Sequence, residues 1–227
     1  MKSCALFIFA LFAAHSAAAQ DARPVVAVLP FENGGSYGKD KEDFDALRKG
    51  LAATLTYELA RNPGVRLADR AGTQRMVDEQ GPAVAERVDA ATAAKVGKQA
   101  GARFVVTGSF IDLYGDFRID ARLISTETGE VLKVVRSDPK LHDRRDMSRM
   151  VQSVAERLTA GTPLPPMPAN ISARPPVPVE ALAFFSRALL YHDKGDKAKA
   201  VEYYRKALDV LASYPEASEG LTRARAP

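Results

Sequence analysis

The stretch RFVVTGSFIDLYGDFRIDARLISTETGEVLKVVR, residues 103–136, predicts three consecutive β-strands. The turn signals Tyr114-Gly115-Asp116 and Glu127-Thr128-Gly129 separate three apolar segments, and such short turns join antiparallel neighbours. From Phe117 to Leu123, apolar residues alternate with charged ones. Because successive side chains of a strand point to opposite faces, one face of this sheet is predicted to be buried and the other wet.

Toward the amino terminus, strand and helix patterns alternate. Residues 25–31 form a continuous apolar run, as in a strand covered on both faces. A helical stripe follows, with apolar residues three or four apart at Phe44, Leu47, Leu51, Leu55 and Leu59. A short strand at 65–68, helices at 71–80 and 90–100, and a last helix at 147–158 complete the order βαβααβββα. This order predicts an α/β (α+β) domain, a mixed sheet with an antiparallel meander flanked by helices.

The stretch ENGGSYGKD, residues 32–40, has the outline of a phosphate-binding loop without its chemistry. The pattern G-x-x-x-x-G-K-[ST] needs a glycine where Asn33 stands and a hydroxyl where Asp40 stands. A carboxylate at that position would repel a phosphate instead of helping to hold magnesium beside it. We therefore interpret the stretch as a connector on the rim of the domain, with Tyr37 and Lys39 as candidate partner contacts.

The first 19 residues predict a secretory signal peptide. Lys2 precedes an apolar run and a group of small residues, so cleavage is expected near Ala19. Cys4, the only cysteine, would leave with this segment, and the mature chain would then have neither a disulfide nor a thiolate site. No later segment approaches the roughly 20 apolar residues of a membrane-spanning helix. We expect a periplasmic protein whose association with the outer membrane would require a partner.

Charge and residue spacing argue against several classes of function. The net charge is +4, and basic and acidic residues alternate without blocks, which speaks against a nucleic-acid partner. His142 and His192 lie 50 residues apart without a second ligand at helical spacing, so no metal site is predicted. No serine lies in a nucleophile-elbow pattern. We therefore predict no catalytic residue and no cofactor.

Residues 161–178 hold seven of the fourteen prolines and show no periodicity. This composition predicts a semi-rigid proline-rich linker between a first domain, residues 20–160, and a second module, residues 179–227.

The second module resembles a tetratricopeptide repeat, a small helical hairpin. Gly195-Asp196 stands at the turn of that motif, and Ala200, Tyr204 and Ala207 stand at its helix-packing positions. The resemblance implies a concave, partner-binding face lined by Phe185, Leu189 and His192. Packing of these three side chains against the last helix, which begins near Pro215, is the alternative.

The first domain resembles the curli secretion component CsgG and its relatives, which include FlgO-type domains, the amino-terminal domain of TolB and LpoB. The segments that carry the resemblance, within about residues 24–136, are VAVLPFEN, GLAATLTYELARNPGVRLADR, MVDEQ, AAKVGKQAGARFVVTGSF and RIDARLISTETGEVL. The resemblance implies non-catalytic envelope proteins that assemble pores, attach appendages or activate a synthase. The long hairpins of the pore former and the lipid-anchoring cysteine of CsgG and LpoB have no counterpart here.

From these observations we expect a non-enzymatic periplasmic accessory protein that binds envelope or outer-membrane proteins in secretion or appendage assembly. A homo-oligomer is compatible with this expectation. An LpoB-like activator of a peptidoglycan synthase is the first alternative. A wall-glycan hydrolase that acts through acidic residues is the second.

Overall fold

A computed structural model describes residues 21–36, 38, 40–81, 87–137, 142–171 and 174–226. The expected signal peptide, residues 1–19, lies outside the described residues, as do Tyr37 and Lys39.

The described chain alternates between strands and helices before it ends in helices alone. The strands are β1 (Val25–Val28), β2 (Glu32–Asn33), β3 (Arg66–Leu67), β4 (Phe104–Leu113), β5 (Asp116–Ser125), β6 (Val131–Arg136) and β7 (His142–Asp143). The helices are α1 (Lys41–Ala60), α2 (Arg70–Asp78), α3 (Ala90–Gln99), α4 (Met147–Thr159), α5 (Val179–Asp193), α6 (Lys197–Val210) and α7 (Pro215–Arg225).

The strands form one mixed sheet in the order β3-β1-β4-β5-β6. β1 lies parallel to both β3 and β4, whereas β4, β5 and β6 form an antiparallel meander. The short strands β2 and β7 extend the sheet by pairing with β4 and β5 respectively. The predicted fold class is therefore confirmed, and β2 and β7 are additions that the sequence patterns did not indicate.

Two hydrophobic cores cover the two faces of the sheet. On one face, α2 and α3 pack over Ala27, Val105 and Ile124. On the other face, α1 and α4 pack over the alternate residues of the same strands, including Val106 and Ile119. The alternation predicted for β5 is confirmed, because its apolar residues are fully buried while its charged residues lie on the partly exposed face.

The helix α1 is buried on two sides. One side packs on the sheet, and the other packs on α5, so small residues such as Gly50, Ala52 and Ala53 are buried together with its leucines. The same hydrophobic core continues through α5, α6 and α7. The carboxy-terminal helices therefore lie against the first domain.

The proline-rich segment runs along the body of the molecule. Leu164 and Val177 are both buried, with 3% and 5% of their surface exposed. The side chain of Asn62 donates a hydrogen bond to the Pro165 carbonyl at 2.7 Å, and the backbone N–H of Val177 donates to the Ser148 hydroxyl at 3.0 Å. These contacts anchor the segment to the turn after α1 through Asn62 and to α4 through Ser148. The division of the chain into two domains at this segment stays a prediction.

Candidate functional site

A cleft of about 450 Å³ lies where the carboxy-terminal helices meet α1 and α2. Its lining residues come from four helices and two flanking turns, namely Ala53, Thr56, Tyr57, Asp69, Arg70, Ala71, Gln74, Arg75, Asp78, Phe185, Leu189, His192, Asp193, Gly195 and Arg223. Within α1, α2 and α5 these residues recur about every three or four positions, the spacing that places side chains on one helical face. The cleft is thus built from single faces of α1, α2 and α5, with α7 closing one end.

Local sequence signals fix the ends of the helices that form the cleft. The Asp69 carboxylate accepts a hydrogen bond from the backbone N–H of Gly72 at 2.6 Å and so caps α2. Gly195 adopts a φ of 78°, which allows the sharp turn between α5 and α6. The side chain of Asp196 then caps α6 through the N–H of Lys199.

The carboxylate of Asp193 joins three helices at the wall of the cleft. Arg70 donates two hydrogen bonds to it, at 2.8 and 3.1 Å, and Lys49 donates a third at 2.9 Å. Burial alone would raise the pKa of Asp193, but the hydrogen bond and charge of Arg70, together with Lys49, leave this pKa lowered. Asp193 is the last residue of α5, and a negative charge at the carboxyl end of a helix interacts unfavourably with the helix dipole. The positive charges of Arg70 and Lys49 offset this cost. The end of α5 is thereby tied to α1 and α2.

His192 lies half-buried beside this ion-pair cluster. Burial lowers its pKa, and the nearby charges of Arg70, Arg223 and Lys197 lower it further, while Asp193 opposes them. Its Nδ1 atom is 3.5 Å from the Tyr204 hydroxyl. At neutral pH the imidazole is therefore uncharged, with one nitrogen as a donor and the other as an acceptor.

The exposed charged side chains at the mouth of the cleft differ in whether they already bond to other groups of the protein. Asp69 is committed to its helix cap, and Asp78 accepts a hydrogen bond from the Gln74 amide at 2.8 Å. Within the described ranges, Arg75 has no ion-pair partner. Arg223 contacts the Tyr57 hydroxyl and also lies 3.6 Å from Glu219, a pair in which both side chains are more than half exposed, and such surface pairs contribute little. The guanidinium groups thus keep free donors.

The cleft brings together the three residues that the repeat resemblance pointed to. Phe185 and Leu189 form its floor and are each 1% exposed, whereas His192 is more accessible. The Phe185 ring also packs on the rings of Tyr204 and Tyr214 at centroid distances of 6.2 and 5.2 Å. A partner could therefore reach Phe185 and Leu189 only by entering the cleft. Their role in binding a partner stays a prediction.

A second surface lies at the β4–β5 turn. Tyr114 is 84% exposed and adopts a φ of 56°, in the left-handed region that most residues avoid. Gly38 lies so close to the Tyr114 ring that an added Cβ would stand 2.9 Å from it. The Ser36 hydroxyl accepts a hydrogen bond from the N–H of Asp112 at 2.9 Å. The described part of the 32–40 loop therefore abuts this turn.

Sequence reasoning missed the charged residues of the cleft. Asp193 lies 123 residues from Arg70 and 144 from Lys49 along the chain, so no spacing rule links them. It also missed Arg174, in the proline-rich segment, which pairs with the buried carboxylate of Glu216 and lies near that of Glu58. The only sequence signal for a role of Arg174 was its charge within a proline-rich stretch.

Among the residues that the structure describes, no three His, Cys, Asp or Glu side chains come together as a metal site. In the same part of the chain, none of the helices combines the length and the apolar character needed to cross a bilayer.

Comparisons with known proteins connect the first domain to one family. Residues 11–132 match the family model described as the peptidoglycan-synthase activator LpoB. The NMR structure of E. coli LpoB is 16% identical, with a TM-score of 0.41, and the match covers 52% of this chain and 55% of that one. The chain thus spans about half the length of this relative.

Two further solved structures are similar over a comparable part of the chain. Lipoprotein GNA1162 from Neisseria meningitidis is 15% identical with a TM-score of 0.37, and 61% of this chain and 98% of that chain are covered. TolB from Acinetobacter baumannii is 17% identical with a TM-score of 0.35, covering 60% and 26% respectively. No curated protein matches the chain in sequence.

The comparisons support some of the family relationships expected from the sequence and not others. The family match supports an LpoB-like envelope domain and the activator alternative, and a family described as an activator agrees with the expectation of a non-enzyme. The comparisons give no support to the reading in secretion or appendage assembly. The relation of the last helices to tetratricopeptide repeats stays a prediction.

Proposed function

This chain belongs to the family of the peptidoglycan-synthase activator LpoB, and on that premise we propose that it is a non-enzymatic, exported protein that binds a peptidoglycan synthase and raises its activity. The observation that carries the proposal is the family match, which spans β1 to β5 and the first residues of β6. The matched region thus holds nearly the whole sheet and the helices α1, α2 and α3. The remaining helices lie outside it.

We assign the contact with the synthase to the β4–β5 turn and the adjacent 32–40 loop. Tyrosine is among the residues that contribute most to protein interfaces, because it buries a large rigid ring and retains a hydroxyl for hydrogen bonding. Tyr114 is almost fully exposed, and its left-handed backbone carries a cost of order 1–3 kcal/mol. Tyr37 and Lys39, predicted from sequence as partner contacts, fall in the 32–40 stretch but lie outside the described residues.

The proposal is tested by adding the purified chain to purified peptidoglycan synthases and measuring the rate of glycan polymerisation. We expect a higher rate with the wild-type chain. Tyr114→Asn should reduce the increase, since asparagine tolerates the left-handed backbone but removes the ring. Val134→Thr is the matched control: Val134 is 65% exposed and lies opposite Arg122, six residues along β5 from the turn.

Four outcomes decide between the function and the surface. The proposed function would be overturned if the wild-type chain bound none of the synthases. It would also be overturned if the chain bound a synthase to saturation and left the polymerisation rate unchanged. An increase that Tyr114→Asn leaves intact would overturn only the assignment of the surface. An increase lost equally in both variants would also refute that assignment.

A further inference from the structure

We propose that the cleft between α1, α2, α5 and α7 binds the free carboxyl end of a short peptide whose last residue is small and apolar. The inference is independent of the synthase: the cleft uses α5 and α7, which lie outside the family match.

The volume of the cleft limits the size of the ligand. Small-molecule pockets typically measure about 300–1,000 Å³, and this cleft, at about 450 Å³, lies in the lower part of that range. It fits a few residues of peptide and excludes a folded partner. The ion pairs of Asp193 hold its helical walls together, so the space is formed before a ligand arrives.

The charges at the mouth favour a singly charged anion. Arg75 and Arg223 keep free guanidinium donors, and such donors pair with carboxylates in a planar, two-bond geometry. Asp69, Asp78 and Asp193 also line the cleft, although each is engaged with the protein itself. Their negative charges would repel a phosphate dianion more strongly than a carboxylate. A peptide carboxyl terminus therefore fits this balance better than a phosphate group.

The remaining lining suits a peptide with a small apolar side chain. Phe185 and Leu189 form an apolar floor, and the exposed Ala71 leaves space above it. The uncharged His192 combines a donor with an acceptor, as the peptide group does, and the Gln74 amide, which donates one N–H to Asp78, has a second N–H and an oxygen. In a cleft of about 450 Å³, a small terminal side chain leaves more room for the peptide group and its carboxylate than a bulky one would.

The test is calorimetric titration of the full chain with four probes. These are N-acetyl-Ala-Ala with a free carboxyl group, in the all-L and all-D forms, and the matching carboxamides. We expect the acids to bind and each amide to bind at least about tenfold more weakly, since a hydrogen bond to a charged group is lost. Preference for the all-L acid would indicate a protein carboxyl terminus as the source, and preference for the all-D acid a wall peptide.

Substitutions assign the binding to the cleft. Arg75→Gln and Arg223→Gln should each weaken the acid probe about tenfold. Ala71→Leu should weaken it further by filling the mouth. Arg205→Gln, which removes an exposed arginine outside the lining, should bind like the wild type. Circular dichroism would establish that all variants are folded.

The proposal is overturned if neither acid binds, or if acid and amide bind equally well. It is also overturned if Arg75→Gln, Arg223→Gln and Ala71→Leu all retain wild-type affinity.

Discussion

Replacing Gly50 with alanine would force α1 and α5 apart at a point where no Cβ atom fits. A Cβ built on Gly50 would lie 1.8 Å from the Ser186 hydroxyl oxygen, 2.7 Å from its Cβ and 3.2 Å from its Cα. Rotation of the hydroxyl would relieve the first contact. The second involves a Cβ that is fixed to the backbone of α5, so the helices themselves must move.

The magnitude follows from two opposing effects. Overpacking a buried position costs about 1–3 kcal/mol, and the severe overlap here favours the upper end. Alanine is more favourable than glycine inside a helix by about 1 kcal/mol. The net loss in free energy of unfolding is therefore about 2 kcal/mol. For a chain of this size, that loss lowers the melting temperature by about 4–8 °C.

Urea and thermal unfolding of the full chain, followed by circular dichroism, measure this loss. The matched variant is Gly50→Ala/Ser186→Gly, because removing the Ser186 side chain leaves only the 3.2 Å contact with its Cα, which a shift of a few tenths of an ångström would relieve. We expect the double variant to be more stable than the sum of the two single changes, with a coupling of about 1–2 kcal/mol. If Gly50→Ala is as stable as the wild type, or the coupling is absent, the close helix contact is wrong.

Three further predictions concern burial, protonation and strand packing. Arg174→Met should cost about 3 kcal/mol in urea unfolding, because the buried carboxylates of Glu58 and Glu216 lose this cation; a loss below about 1 kcal/mol would contradict the pairing. Because burial lowers the folded-state pKa of His192 below 6.5, the unfolded chain binds more protons there, and stability should fall as the pH drops below about 6.5. The urea midpoints at pH 7.5 and 5.5 should therefore differ less in His192→Gln than in the wild type. An equal difference in both proteins would refute this contribution. Gly108→Ala would place a Cβ 2.3 Å from a carbonyl oxygen of β5, so we expect little folded protein on expression, and a melting temperature close to wild type would contradict the register.

The periodic elements of the fold were predictable, because a regular pattern of burial leaves a regular pattern in the sequence. The alternation in β5 and the three-and-four spacing in α1 gave the correct type of each element. A strand was expected over residues 25–31, but β1 ends at Val28 because only residues 25–28 pair with β3 or β4. Leu29 and Phe31 are nevertheless buried.

The cleft and the path of the proline-rich segment could not be predicted in the same way. Leu164 and Val177 are isolated apolar residues in a stretch without periodicity, so their burial had no signature. Arg70 and Asp193 meet only because α5 folds back across α1. The repeat resemblance nevertheless selected three residues that line one cleft, since it placed them on a single helical face. The strained backbone of Tyr114 had no signal beyond the glycine that follows it.

The two-sided burial of α1 has a consequence for how this chain tolerates substitution. Surface helices of most domains have one face that accepts nearly any polar residue. In α1, positions such as Gly50, Ala53 and Leu55 serve one packing surface or the other, so few positions are left free. A saturation mutagenesis screen should therefore find that α1 rejects both larger and smaller side chains along most of its length. Substitutions in the carboxy-terminal helices are then limited by their packing against α1, a helix of the region that matches the LpoB family.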